Sequence, residues 1–147
     1  MVNAVDILPH RPPFLFIDQV LELVPGRYAV ASWTPQPSAE WFRGHFPQDP
    51  IVPGVLLVEA MAQTGALAVL SDPVYRDSLP LFGGIDRTRF RRTVRPGETV
   101  RMEVSLAQMR SSAGRAEALA WVGDHLAAEA RLTFLLVPKD RGGLPAP

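Results

Sequence analysis

Apolar and polar residues alternate in the second half of the chain in a way that predicts β-strands. In segments 100–106 and 126–134, apolar residues recur at every second position, with charged and small polar residues between most of them. A period of two residues is typical of a strand that buries one face. Upstream, segments 14–24 and 28–33 are rich in apolar and β-forming residues and flank Pro25-Gly26, a turn pair in which glycine supplies a positive φ. These two segments predict a hairpin.

Segment 53–70 predicts a helix that is apolar on every face. Pro53 suits the first helical position, where its missing N–H is harmless. Between Asp49 and Asp72 the only charged residue is Glu59. A helix without a polar face must be covered on all sides, and one flat sheet covers only one. We therefore expect five or six mostly antiparallel strands that either curve strongly around the helix or leave a face for a partner subunit.

The remaining segments are predicted to be irregular. Pro47, Pro50 and Pro53 exclude a regular helix or a central strand in segment 38–53, which we interpret as an ordered loop with a helical turn around residues 39–42. The end of the chain, 139–147, is polar and rich in glycine and proline, and is predicted to fray. We expect one α+β domain, residues 1–138, followed by this tail.

Composition excludes several classes of function. The chain has 147 residues, 15 basic and 15 acidic, a balance that argues against a nucleic-acid partner. It has no cysteine, which excludes disulfides, thiol catalysis and cysteine-ligated zinc, and its three histidines lack a metal-ligand spacing. The apolar segment is too interrupted to span a membrane, and the first residues lack the pattern of a secretory signal. We expect a cytoplasmic protein without a metal.

Glu59 is a candidate acid–base group because it is the only charge on an apolar helix. In apolar surroundings the pKa of a carboxyl rises, which suits a general acid. The alternative is a glutamate that reaches solvent at an edge of the helix. Gln63, four residues on, shares its face and either hydrogen-bonds the Glu59 carboxyl or is a satisfied core amide.

His45 is a candidate general base, since it lies between Gly44 and Pro47 in the proline-rich loop. The alternative is a histidine hydrogen-bonded to nearby backbone. Gly54 and Val55 begin the helix, where free N–H groups can bind a developing oxyanion, as at any helix start. We interpret the other two histidines as structural, His10, and as a surface hairpin residue, His125.

Five arginines lie close together in sequence beside one acidic residue, Asp86. Such a cluster either binds an acidic partner or forms a solvated strand edge. The five are Arg87, Arg89, Arg91, Arg92 and Arg95.

A set of short motifs follows in order along residues 7–137. They are Leu8-Pro9-His10-Arg11, Gly44-His45-Phe46-Pro47, Pro53-Gly54-Val55, Glu59-Ala60-Met61-Ala62-Gln63 and Gly84-Ile85-Asp86 with Arg89-Phe90. Together they resemble the FabZ-type 3-hydroxyacyl-(acyl-carrier-protein) dehydratases. The sister dehydratase–isomerase type usually carries aspartate at position 59 and tryptophan at position 62, so Glu59 and Ala62 favour a dehydratase without isomerase activity.

The resemblance implies a hotdog fold, a long central helix wrapped by a curved antiparallel sheet, which pairs into a double-hotdog dimer or a trimer of dimers. It implies that His45 is the general base and Glu59 the general acid, with no cofactor besides the phosphopantetheine arm of an acyl carrier protein. The predicted substrate-binding residues are Gly54, Val55, Phe46 and Gln63. The predicted docking residues for the carrier protein are Arg89, Arg91 and Arg92.

Two departures from the family pattern concern the substrate. Gln48 replaces a glycine that usually follows His-Phe-Pro, and Phe82-Gly83-Gly84 replaces the usual Phe-Ala-Gly. Neither removes a catalytic group, so fatty-acid and polyketide substrates both stay open. Two further alternatives are a hotdog thioesterase, in which a carboxylate activates water, and a non-catalytic acyl-binding partner subunit.

Overall fold

The computed structural model describes residues 1–139, and for Gln108 only the backbone. Within these residues one α-helix follows two strands and precedes four more. The elements are β1 (Gln19–Val24), β2 (Tyr28–Trp33), α1 (Gly54–Leu70), β3 (Ser78–Phe90), β4 (Val100–Arg110), β5 (Ala113–Val122) and β6 (His125–Pro138), with short 3-10 turns at Ala4–Asp6 and Glu40–Arg43. The predicted tail, 139–147, lies outside the described residues except for Lys139.

All six strands form one antiparallel sheet in the order β1-β2-β4-β5-β6-β3. The α+β class, the single helix and the antiparallel sheet are as predicted. The predicted hairpin is β1–β2, and Gly26 has the expected positive φ, +73°. However, β1 begins only at Gln19, so residues 14–18 are not part of a strand.

The sheet curls around α1 and buries it. Every residue from 60 to 70 is buried, and α1 contacts all six strands. The curved sheet, one of the two expected arrangements, covers most of the length of the helix. Val55 in the first turn stays 75% exposed. Pro53 is not the first helical residue: its ψ of 133° is extended, which makes it the N-cap, and Gly54 starts the helix.

Gly65 allows the helix to lie close to the sheet. A Cβ atom at this position would come within 2.9 Å of the Phe134 ring on β6 and 3.1 Å of Val104 on β4. Both neighbours are buried, so neither has room to move away. Among the described helices, none is long and apolar enough to cross a membrane.

Candidate active site

Glu59, in the second turn of α1, faces a small cavity. The cavity has a volume of about 40 Å³, and the Glu59 side chain is 16% exposed. Burial raises the pKa of the Glu59 carboxyl, and a hydrogen bond from Gln63 partly opposes that rise. The other walls are mostly apolar: Ala62, Ala66, Pro80, Leu81, Phe82 and Phe134.

Gln63 holds one oxygen of this carboxyl. Its Oε1 accepts a hydrogen bond from the Phe16 N–H at 2.8 Å, while its Nε2 donates to the Phe14 carbonyl at 3.2 Å and to Glu59 Oε2 at 2.9 Å. A backbone N–H can only donate and a carbonyl can only accept, so the two backbone contacts fix the orientation of the amide. Gln63, only 1% exposed, must therefore donate to Glu59.

His45 lies in the loop before α1, and its ring has a defined tautomer. Its Nδ1 lies 3.0 Å from the Ile51 carbonyl, and the Ile51 N–H donates back to the His45 carbonyl at 3.0 Å. Because the carbonyl only accepts, Nδ1 carries the hydrogen of the neutral ring and Nε2 keeps a lone pair. The ring stacks on Phe46 at 4.2 Å. The local backbone contact is thus present, and it leaves Nε2 available as a base.

Within one chain, His45 and Glu59 do not meet. No nitrogen of His45 lies within 4 Å of the Glu59 carboxylate, and His45 does not line the cavity. The histidine beside Glu59 is His10, whose Nε2 is 3.7 Å from Oε2. Residues 1–139 contain no cluster of three or more side chains that could hold a metal ion.

The sequence interpretation of His10 as merely structural therefore missed its place beside Glu59. The contact joins the N-terminal loop to α1, and no periodicity in the sequence reports such a long-range contact. The available signal was the motif Leu8-Pro9-His10-Arg11, which belongs to the family resemblance.

The other predicted substrate-binding residues lie around the start of α1. Across the described chain, the N–H groups of Gly54 and Val55 donate no hydrogen bond, as is usual in the first turn of a helix. Gly54 lies against the ring of Phe90, since a Cβ built there would come within 2.9 Å of it. Phe46 is exposed beside His45.

The arginine cluster is less positive than its sequence indicates. Arg91 donates two hydrogen bonds to Glu129, Arg92 pairs with Glu98 at 2.7 Å, and Arg95 pairs with Asp49 at 2.5 Å. The single neighbouring acid expected from the sequence, Asp86, is thus joined by three others: Glu98 from the turn that follows the cluster, and Glu129 and Asp49 from distant segments. Arg89 is exposed and forms no ion pair with any residue that the structure describes.

The two departures from the family pattern lie on different elements, one in the His45 loop and one in β3. Gln48 is exposed in the turn of the His45 loop. Gly83 is the extra residue of a bulge in β3, directly after the cavity residue Phe82. A Cβ at position 83 would come within 3.0 Å of the Leu135 side chain, so glycine relieves crowding there.

Comparisons with known proteins agree with this architecture. The FabA-like domain family matches residues 8–131. The chain is 54% identical to the 3-hydroxyacyl-(acyl-carrier-protein) dehydratase FabZ of Symbiobacterium thermophilum, over 90% of this chain and 93% of that protein. It is 48% identical to the FabZ of Desulforamulus reducens, over 94% of this chain and 98% of that protein.

A solved structure has the same fold. The chain superposes on a chain of the dehydratase heterocomplex ApeI:P from Xenorhabdus doucetiae with a TM-score of 0.80 and 19% identity, over 95% of this chain and 94% of that one. At this identity the likeness concerns the fold alone, and it confirms the predicted hotdog fold.

Proposed function

Because the chain belongs to the family of FabA-like domains, we propose that it is a carbon–oxygen lyase that dehydrates 3-hydroxyacyl thioesters on an acyl carrier protein to trans-2-enoyl thioesters. The high-coverage similarity to FabZ dehydratases supports the reaction and a role in fatty-acid biosynthesis. The observation that carries the proposal is the Glu59 carboxyl, held by Gln63 in a mostly apolar cavity. A polyketide substrate is the alternative that the changes at Gln48 and Gly83 leave open.

Glu59 is the general acid of the proposed reaction. Hydroxide is a poor leaving group, so the C3 hydroxyl must receive a proton as its bond to carbon breaks. Burial supports this role because it raises the pKa of the carboxyl and so favours the protonated form that can donate. Gln63 donates to Oε2, so Oε2 acts as an acceptor and the transferable proton belongs to Oε1.

His45 is the general base, and Nε2 is its reacting atom. The bond between Nδ1 and the Ile51 carbonyl supports this assignment, because it orients the ring and leaves the lone pair on Nε2. This nitrogen removes the weakly acidic proton from C2. The N–H groups of Gly54 and Val55, at the positive end of α1, would stabilise the enolate-like oxygen of the thioester.

The elimination balances without a redox change. The C2–H bond and the C3–O bond break, a C2–C3 double bond forms, and the oxygen leaves as water with the Glu59 proton. His45 ends with the proton from C2, and its return to Glu59 resets the site. No metal or redox cofactor enters these steps, and the phosphopantetheine arm arrives with the carrier protein.

The proposed site is completed by a second copy of the chain, in which His45 of one chain faces Glu59 of the other. The separation of these residues within a single chain supports this arrangement. The sheet edge formed by β3 supports it too, since this strand of 13 residues exposes Phe82, Ile85 and Phe90. A long apolar edge of this kind is a ready surface for strand pairing.

Product analysis tests the proposed function against its alternatives. The purified protein is incubated with a 3-hydroxyacyl thioester of the carrier protein, and the products are separated by mass. We expect the enoyl thioester, 18 Da lighter by loss of water. Free acid would instead identify a thioesterase, and the absence of turnover across a series of chain lengths would favour a non-catalytic acyl-binding subunit.

A further inference from the structure

His10 and Glu59 share one cavity although they lie on different segments. His10 Nε2 is 3.7 Å from Glu59 Oε2, too long for a hydrogen bond but close enough to exclude a water molecule from between them. The Nδ1 atom of His10 is buried and has no hydrogen-bond partner among the described residues. The Nδ1 side of the ring is therefore packed without a polar contact, while the Nε2 side faces the Glu59 carboxyl.

The loop that carries His10 is fixed on both sides of the ring. Leu8 is buried in the core. The Arg11 guanidinium donates hydrogen bonds to the carbonyls of Leu8 and His10, each at 2.7 Å. These contacts tie the loop to itself and hold the imidazole in the wall of the Glu59 cavity.

The same surroundings keep the His10 ring neutral. A protonated imidazole has two N–H donors, and the one on Nδ1 would be buried without an acceptor. Burial lowers the pKa of His10, and the nearby Arg11 cation lowers it further. The neutral ring then carries its hydrogen on Nε2, toward Glu59.

We propose that His10 is a positioning residue for Glu59: its neutral ring closes the cavity against the carboxyl, which thereby keeps its proton. The inference rests on the proposed function, in which Glu59 is the general acid. Groups that face the carboxyl are Gln63 from α1, His10 from the N-terminal loop, and the apolar residues Pro80, Leu81, Phe82 and Phe134 from β3 and β6. Within one chain His10 is the only titratable group among these described residues, and Arg11 is the charge beside it. In the proposed dimer, His45 of the other chain faces Glu59 as well.

The variants His10→Ala and His10→Phe distinguish two effects of His10 on Glu59: exclusion of water by the ring, and polar interaction through the ring nitrogens. Alanine opens the cavity to water, so the pKa of Glu59 falls and the basic limb of the kcat–pH profile moves to lower pH by about one unit. At pH values above that limb, the kcat of His10→Ala is roughly tenfold lower than that of the unmodified protein, because kcat follows the protonated fraction of Glu59. Phenylalanine keeps a ring in the cavity wall and has no nitrogen that needs a hydrogen-bond partner. We therefore expect the basic limb of His10→Phe at the same pH as in the unmodified protein.

A direct titration of Glu59 makes the test independent of turnover. The ¹³C shift of the glutamate side-chain carboxyls is followed with pH in the full-length protein, and the Glu59 signal is assigned by its loss in Glu59→Gln. We expect a lower pKa in His10→Ala, an unchanged one in His10→Phe, and an unchanged one in the control His125→Ala, whose histidine is exposed on β6. If His10→Ala does not fold, His10→Asn, also shorter than the ring, replaces it.

Two outcomes would overturn the role of His10. One is a Glu59 titration that is the same in the original protein and in His10→Ala; the other is an equal shift in the alanine and phenylalanine variants. If the titration shifts as expected but the original protein forms no enoyl product, the proposed function fails while the coupling of His10 to Glu59 stands.

Discussion

Glu59 and His45 can be chosen from the sequence because of their residue types and their surroundings. A lone carboxylate on an apolar helix predicts burial, and burial raises the pKa of Glu59 in the structure. Their partners cannot be chosen in the same way. The backbone groups of Phe14 and Phe16 that orient Gln63, and the ring of His10, come from segments far from α1 in sequence. Such contacts depend on tertiary packing, which leaves no periodic signal.

Removing either proposed catalytic group should abolish dehydration without unfolding the chain. We expect His45→Ala and Glu59→Gln each to lower kcat by about 10²–10⁴-fold, the usual contribution of a general acid or base. Glu59→Gln has nearly the same shape, and its carbonyl oxygen still accepts the bond from Gln63. The controls are His125→Ala and Glu40→Gln, which change exposed residues of the same types. Near-original turnover in a folded variant would remove that residue from the mechanism.

At the scale of elements, the patterns predict α1 and most of the sheet but not the details of β3. The alternation in β4 and β6 and the apolar run of α1 are local signals. In β3 the alternation is broken by Pro80, by Gly83-Gly84 and by two irregularities in its pairing with β6. The curvature that buries α1 is also absent from the pattern, because it results from the twist of the whole sheet.

The end of β3 carries the predicted docking surface for the carrier protein, and the ion pairs of the fold change how that surface is tested. Reversing Arg91 or Arg92 would place a carboxylate beside Glu129 or Glu98, which mixes docking with local repulsion. Arg89 lies opposite Glu129 in the pairing of β3 with β6, but it forms no ion pair with Glu129 or with any other described residue, so its reversal breaks no salt bridge. We therefore expect Arg89→Glu to raise KM for the carrier-bound substrate roughly three- to tenfold and to weaken its dependence on salt.

The controls for the docking experiment are a second substrate and a second arginine. A short pantetheine thioester lacks the carrier protein, so its KM should not change in Arg89→Glu. Arg115→Glu reverses an exposed charge on β5 and should leave both substrates unaffected. An equal effect of Arg89→Glu on both substrates would mean that Arg89 supports the site itself and not docking.

At the scale of the whole molecule, a single chain holds only part of the proposed site. The cavity of about 40 Å³ beside Glu59 is far smaller than the pockets of several hundred Å³ that hold ligands of this size. Val55 and Phe90, both exposed, lie at the same end of the helix as Gly54, next to the open edge of β3. A partner chain on this edge would cover these apolar groups and enlarge the cavity into a site.

Complementation between two inactive variants tests the shared site. In a two-fold dimer each site draws His45 from one chain and Glu59 from the other, so a mixed dimer of His45→Ala and Glu59→Ala has one intact site and one site that lacks both groups. Unfolding the two variants together and refolding them in equal amounts makes about half of the dimers mixed, and the recovered activity should approach about a quarter of the original. Sites built within single chains would recover none, so a failure to recover activity after mixed dimers have been detected by mass would contradict the shared site.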